Sequence, residues 1–310
     1  MTSAILKVAD LAHRYSDNWV LRNINFEIND FGVVGLLGSN GAGKSTLMNI
    51  ICGCLSQTRG SVAVEGIDAR ETPLDLRRKI GFLPQQAPLS FELTIEEYLR
   101  FCAEVRGMAR KPAAEAVDAV MERCGLTSMR KRQISNLSGG YRQRTGIAQA
   151  VVHRPRLVIL DEPTVGLDPN QLLGVRDLIL DIGKKHTVVF STHILPEIEA
   201  MCREVLMVEN GEIVFHDEID AFRTVVEPNS VIMVAQQAPA LSTLETALAD
   251  IESVERLGSK KIRIRHSGGR AFASELLKIG QEKGWMVEEL YFEKSSLEDV
   301  FATLSKGGVS

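Results

Sequence analysis

Residues 38–46 read GSNGAGKST and fit the pattern G-x-x-x-x-G-K-[ST], with Gly38, Gly43, Lys44 and Ser45 at its fixed positions. The spacing has a chemical reason. Glycines let the backbone coil until several N–H groups aim at one phosphate chain. Lys44 then reaches the β- and γ-phosphates, and the Ser45 hydroxyl can ligate Mg²⁺. Ser39, Asn40, Gly41, Ala42 and Thr46 complete the cradle. The apolar run Val33-Val34-Gly35-Leu36-Leu37 predicts a buried strand leading in. Thr46–Ile51 predicts a helix leading out, its N-terminal dipole facing the phosphates. Strand, glycine loop and helix in that order predict an α/β fold that binds a nucleoside triphosphate.

The flanking sequence extends this picture. Residues 4–8 (AILKV) and 20–28 (VLRNINFEI) alternate apolar and polar side chains, as half-buried strands do. Tyr15 lies between them, where its ring can stack on an adenine base or pack a strand edge. Short strands are expected at 61–64 and 80–83, the second closed by Pro84-Gln85-Gln86. From about Leu93 the period becomes helical, with Thr94 and Glu97 spaced as a capping box. Residues 112–124 predict another helix, with Pro112 in its first turn and Gly125 past its end. The block at about 88–150 is thus a helical insert within the α/β domain.

Two more motifs carry chemistry. Ser138-Gly139-Gly140 precedes YRQRTGIAQAVV, which places small residues and free N–H groups at a helix N-terminus, a second anion site in one chain. Leu157-Val158-Ile159-Leu160-Asp161-Glu162 is an apolar strand ending in two acids. Asp161 is placed to hold Mg²⁺, directly or through water, and Glu162 to orient or deprotonate a water attacking the γ-phosphate. The chain turns at Gly166-Leu167-Asp168-Pro169, and residues 171–182 predict a helix. A buried strand at 187–190 then leads to His193, at the strand edge where open α/β sheets bind ligands. Beyond a boundary near 220–230, where VEPNS interrupts the pattern, the elements read β-α-β-β-α-β-α. That order predicts a small α+β domain of ferredoxin-like type, with no catalytic constellation.

GSNGAGKST, LSGGYRQR and LVILDEP in this order resemble the ATP-binding subunit of ABC transporters, over about residues 4–220. The resemblance implies a P-loop NTPase core with an N-terminal antiparallel β subdomain and a helical insert, and an ATPase that uses ATP and Mg²⁺. It makes Gln85 the glutamine linking Mg²⁺ and water to the insert, with Gln86 the alternative. Ser138, Gly139 and Gly140 become the element that binds the γ-phosphate held by a partner subunit. Asp168 falls in the loop joining the two sites across a dimer. His193 matches the γ-phosphate switch histidine, and Tyr15 the adenine-stacking aromatic. Ser39 stands where many members have proline, and Tyr141 where many have methionine or glutamine; neither removes a catalytic group. The C-terminal stretch ending SLEDVFATL resembles the accessory domain of export-type members, and GLDPNQLLGVRDLI with STHILPEIEA resembles the gliding-motility and copper-processing branch.

These readings define the expected partners and their limits. Residues 1–222 are the expected ATP-binding domain and 230–310 the accessory domain. The partners implied are a second copy or a paralogous ATP-binding subunit and a separately encoded membrane permease. No apolar run approaches the roughly 20 residues needed to cross a bilayer, and MTSAILKVAD lacks the layout of a signal peptide. Five scattered cysteines suggest reduced thiols in a cytosolic protein, so the expected location is cytoplasmic, on the inner face of the membrane. A net charge of −4 argues against nucleic acid as a partner. The interval from Lys44 to Ser138 also leaves no room for the long coiled coils of a DNA-repair ATPase. A soluble ABC-type ATPase regulating a non-transport complex is the alternative.

Overall fold

The chain opens on two long antiparallel strands, β1 (Leu6–Tyr15) and β2 (Asn18–Ile28). Both outrun the alternating stretches seen in the sequence, because register shifts after Val8 and Leu11 absorb extra residues as bulges. Tyr15 therefore ends a strand, paired with Asn18, rather than lying between strands. The computed structural model describes residues 4–222, 229–248, 250–269, 271–293 and 297–305. The strand expected before the glycine loop is β3 (Gly32–Leu37), and the helix after it, α1 (Lys44–Ile51), starts two residues earlier than expected. β4 (Arg59–Val64) and β5 (Ile67–Asp68) complete a four-stranded sheet in the order β2-β1-β4-β5, the antiparallel subdomain.

Next come α2 (Pro73–Lys79) and β6 (Ile80–Leu83), then the insert helices α3 (Ile95–Val105) and α4 (Arg110–Arg123) and the helix α5 (Gly139–Val151). The expected capping box closes α3: Thr94 Oγ1 accepts from the Glu97 N–H, and Glu97 accepts from the Thr94 N–H at 2.9 Å. β7 (Leu157–Asp161), α6 (Pro169–Gly183), β8 (Thr187–Thr192), α7 (Leu195–Met201), β9 (Glu204–Glu209) and β10 (Glu212–Glu218) finish the large sheet.

Its order is β10-β9-β3-β8-β7-β6, parallel except for the β9–β10 pair. Parallel strands are covered on both faces, which is why β3, β7 and β8 read as unbroken apolar runs. Their register decides where the chemistry falls. Leu37 pairs with Thr192 and Asp161 with Ser191, so the segments after β3, β7 and β8 leave one edge side by side.

The chain divides into two compact units, Met1–Ile219 and Asp220–Ser310. The boundary falls within α8 (Ile219–Phe222), and residues 223–228, where VEPNS begins, lie outside the described residues. The second unit continues as β11 (Ser230–Ala235), α9 (Leu241–Ala247), β12 (Ile251–Arg256), β13 (Lys261–His266), α10 (Ala271–Glu282), β14 (Val287–Phe292) and α11 (Leu297–Ser305). The sheet order β12-β13-β11-β14 is antiparallel throughout, the split arrangement that a β-α-β-β-α-β order predicts. Val231, Met233, Leu244, Ile264, Phe272 and Leu276 form its core.

One packed histidine ties the first unit's stability to pH. His153 Nε2–H donates to the Ile80 carbonyl at 3.2 Å, and its Nδ1 is buried without a partner. Burial, with the positive Arg106 and the neighbouring His186, pushes its pKa down from 6.5 to about 4. The unfolded histidine takes up a proton near 6.5, whereas the folded one resists until about 4. Stability is therefore fully present above 6.5 and is lost as pH falls toward 4. Urea midpoints measured from pH 7 to pH 5 should fall in the parent, and less steeply in His153→Gln, which keeps the donor but cannot titrate. Equal slopes would remove His153 as the cause.

Candidate active site

The glycine loop leaves β3 against the β9–β10 turn. A Cβ on Gly38 would lie 2.1 Å from the Val208 carbonyl oxygen, so only glycine fits there. Gly43 holds a left-handed φ of 108°, and a Cβ on it would come within 2.7 Å of the Leu21 side chain. No side chain caps α1, so the N–H groups of its first turn remain free for an anion. The Lys44 ammonium donates to the carbonyls of Gly38 at 2.7 Å and Ser39 at 2.9 Å. Two of its three donors are thereby used. Burial lowers the Lys44 pKa, and the nearby carboxylates of Glu162, Asp161 and Glu209 oppose that shift. Asn40, Gly41, Gly43, Lys44, Ser45 and Thr46 line a cavity of about 510 Å3.

The far wall of this cavity comes from the other strand ends. Glu162 follows β7 with a left-handed φ of 48°, uncommon for a residue with a long side chain. Gln85 Nε2–H donates to Glu162 Oε2 at 2.9 Å, and His193 Nδ1 lies 3.1 Å from Glu162 Oε1. Gln85, Glu162 and His193 all face the cavity, and it is Gln85 rather than Gln86 that reaches Glu162. Asp161 is buried just behind, its Oδ1 accepting from the Ser191 hydroxyl at 2.5 Å. The same hydroxyl accepts from the Glu162 N–H at 2.9 Å and so locks the two acids together.

The structure does not bring every expected residue to this cavity. Ser138 and Gly140 line a separate hollow of about 390 Å3 with Tyr141 and Gln171. Ser138 is the N-cap of α5 and makes no side-chain capping bond, which leaves the N–H groups of Gly139, Gly140 and the residues after them without a side-chain acceptor at that end. Asp168 caps α6 by accepting from the Gln171 N–H at 2.9 Å. Tyr15 is half exposed, its ring edge-on to His13 at 4.7 Å, outside the residues that line the phosphate cavity.

Comparison with known proteins fits this geometry. The ABC transporter family matches residues 21–165. The chain is 35% identical over 225 residues to an ABC transporter ATP-binding protein of Bacillus subtilis, YxlF, covering 73% of this chain and 75% of that one. It is 31% identical over 308 residues to the bacitracin transport ATP-binding protein BcrA of Bacillus licheniformis, with 99% of each chain covered. The chain belongs to the ABC transporter ATP-binding proteins. An ATP-binding cassette solved as a dimer, in a post-hydrolysis state with ADP and Pi, superposes with a TM-score of 0.63 at 25% identity, over 69% of this chain and 98% of that one. The ABC subunit is thus an ATPase with the P-loop α/β fold.

Mg²⁺, which the family implies, has a fitting donor set. Ser45 and Gln85 face the cavity and Asp161 lies behind it, all hard oxygen donors. Among the described residues no cluster of three or more His, Cys, Asp or Glu could hold a metal.

Two residues of this ABC subunit escaped the sequence reading. Ser191 bridges the acids, and Glu209, at the end of β9, grips the loop. Glu209 accepts from the Ser39 hydroxyl at 2.6 Å and from the Ser39 N–H at 3.2 Å. The Gly211 N–H meanwhile donates to the Ala42 carbonyl at 3.1 Å. A proline at position 39 could make neither bond to Glu209. Ser39→Pro should therefore cost about 1–3 kcal/mol in chemical denaturation, because the buried Glu209 carboxylate loses both donors. The cost should shrink in a Glu209→Leu background; an equal cost in both would show that the loop does not depend on this pair.

Proposed function

We propose that two ABC subunits, this chain with a second copy or a paralogue, close around two ATP molecules, and that hydrolysis drives a separate membrane permease that exports its substrate. One observation carries the reading: the phosphate cavity and the Ser138–Gly140 helix end are distinct hollows of the same chain. A single copy supplies half of each site. The γ-phosphate on Lys44 of one subunit then meets Ser138 and the free α5 N–H groups of the other.

The chemistry is in-line attack by water. Glu162 takes the water proton, while Gln85 and His193, bonded to its two oxygens, fix the carboxylate's orientation. Lys44 and the loop N–H groups stabilise the charge of the transferring phosphoryl group. Mg²⁺, when bound by Ser45, Gln85 and Asp161, adds a further neutralising charge. Tyr15 stacks on the adenine, and Asp168, bonded to Gln171 beside Gly140, links one site to the other.

Among the described residues no helix is long and apolar enough to cross a membrane; the permease is a separate chain, with the ATPase peripheral on the cytoplasmic face. Phe101 and Val105, one turn apart on α3, are 57% and 66% exposed and offer that permease an apolar docking face. The likeness to a bacitracin transport ATP-binding protein, with 99% of each chain covered, supports a transport role that includes the second unit. The second unit, which holds the accessory domain expected at 230–310, serves assembly or regulation.

Lys44→Ala should abolish ATP turnover by removing the cation that faces the β- and γ-phosphates. A parent-like rate in a coupled-enzyme assay would refute the phosphate-loop assignment. Glu162→Gln should lower turnover at least about a hundredfold, since general-base catalysis contributes roughly 10²–10⁴-fold. With its charge gone, ATP should now hold two chains together in size-exclusion chromatography. Ser138→Arg in that background should return the chain to monomer by filling the space of the partner's γ-phosphate. A double variant that still dimerises on ATP would overturn the sandwich.

A further inference from the structure

The opposite, N-terminal edge of the parallel sheet carries a feature that the nucleotide chemistry leaves unused. Two connections meet there, 154–156 leading into β7 and 184–186 leading into β8. The Thr187 N–H donates to the Arg156 carbonyl at 2.9 Å and ties them together. With the end of α4 they enclose a cavity of about 700 Å3. Its rim is formed by Arg123, Arg154, Arg156, Lys184 and Lys185, and Asp181 is the only carboxylate among the lining residues. The floor is aliphatic, with Ala119 and Pro155. It continues into a smaller hollow of about 100 Å3 beneath Val120 and Val151.

The charge here runs against the chain as a whole, which carries −4. Asp181 is already engaged, by Arg123 Nε at 2.6 Å and Lys184 Nζ at 3.4 Å. Arg156 pairs with Glu65 at 3.2 Å and lies over the Phe31 ring. Arg154 and Lys185 make no ion pair among the described residues, and both are exposed at the rim. Arg154 holds a left-handed φ of 55° just before Pro155. That backbone is uncommon for a long side chain.

His186, 8% exposed, completes the wall. Its Nδ1–H donates to the Pro155 carbonyl at 2.5 Å, which leaves Nε2 to accept from Arg123 Nη1 at 3.5 Å. Burial and the charges of Arg123, Lys185 and Arg156 lower its pKa, so the ring stays neutral among the cations. Like charges lining one cavity repel, and among the described residues no carboxylate pairs with Arg154 or Lys185. A multiply charged anion would. An arginine fork beside an ammonium matches phosphate oxygens.

We propose that this cavity binds a phosphorylated ligand, its phosphate groups on Arg154 and Lys185 and its apolar part on the floor of Ala119 and Pro155. The phosphate belongs either to a soluble compound or to a lipid headgroup. Because β7 and β8 separate this edge from the glycine loop, the site fills independently of ATP.

Pyrophosphate is the probe for the soluble source. It is titrated calorimetrically into the full chain with the nucleotide site saturated by a non-hydrolysable ATP analogue and Mg²⁺. One further equivalent should bind. Arg154→Ser/Lys185→Ser should weaken it at least about tenfold, the loss expected for charge-assisted hydrogen bonds. ATP turnover without pyrophosphate should stay at the parent rate, and an unchanged melting temperature will show that the double variant folds. Flotation with phosphatidylglycerol against phosphatidylcholine vesicles tests the lipid source. Retention on the anionic vesicles alone, lost in the double variant, assigns the phosphate to a headgroup. Pyrophosphate binding without vesicle retention assigns it to a soluble ligand. The proposal is overturned if neither probe binds, or if binding is the same in the double variant.

Discussion

In a parallel sheet, neighbouring strands end on the same edge, and the pairing of β3, β8 and β7 turns that rule into a site. Leu37 opposite Thr192 and Ser191 opposite Asp161 set the glycine loop, His193 and Glu162 around one cavity. A slip of one residue in β7 would send its buried run to the wrong faces and carry Glu162 away from Gln85 and His193. The complete burial of β7 and β8 makes such a slip costly, so packing in the core of the first unit fixes the distances at its edge. Opposite ends of the same strands then carry different charge. The C-terminal ends carry acids around one phosphate-binding loop, and the N-terminal ends gather cations.

Charge compensation follows from that register. Lys44 is 7% exposed, and an ammonium so far from water needs partners. Two carbonyls of its own loop supply hydrogen bonds, and three carboxylates supply a field that opposes the cost of burial. Glu209 contributes twice, holding Ser39 in place and adding to that field. Substitution at 209 therefore touches both the shape of the loop and the charge of its lysine.

The motifs were legible because each is a local string that encodes a local shape. GSNGAGKST is strand, turn and helix; LVILDEP is a buried strand with acids at its end; Thr94 to Glu97 is a complete cap. The C-terminal elements were legible in their order for the same reason. Other features depend on contacts between distant segments. Glu209 lies 170 residues from Ser39, and nothing near Val205–Asn210 marks it as part of the site. Ser191 reads as one more polar residue at a strand end until the pairing with Asp161 is known. α2 and α7 have seven residues each, too few for a 3.6-residue period to show. The cation-lined cavity takes side chains from α4 and from two loops some 30 residues apart, joined only because β7 and β8 are neighbours.

The left-handed backbone at Glu162 has an evolutionary consequence. A side chain held at positive φ costs roughly 1–2 kcal/mol, a cost that glycine escapes. On the proposed role of Glu162 as general base, the position is one where thermal robustness and ATP hydrolysis pull in opposite directions. Heat-based screening of a library of this chain would enrich glycine at 162, along with other changes that relax the turn. The survivors would be sturdier proteins without the carboxylate that Gln85 and His193 are arranged to hold. Resistance to heat is thus a poor surrogate for fitness in this fold, and the cost of the left-handed turn persists only where turnover itself is under selection.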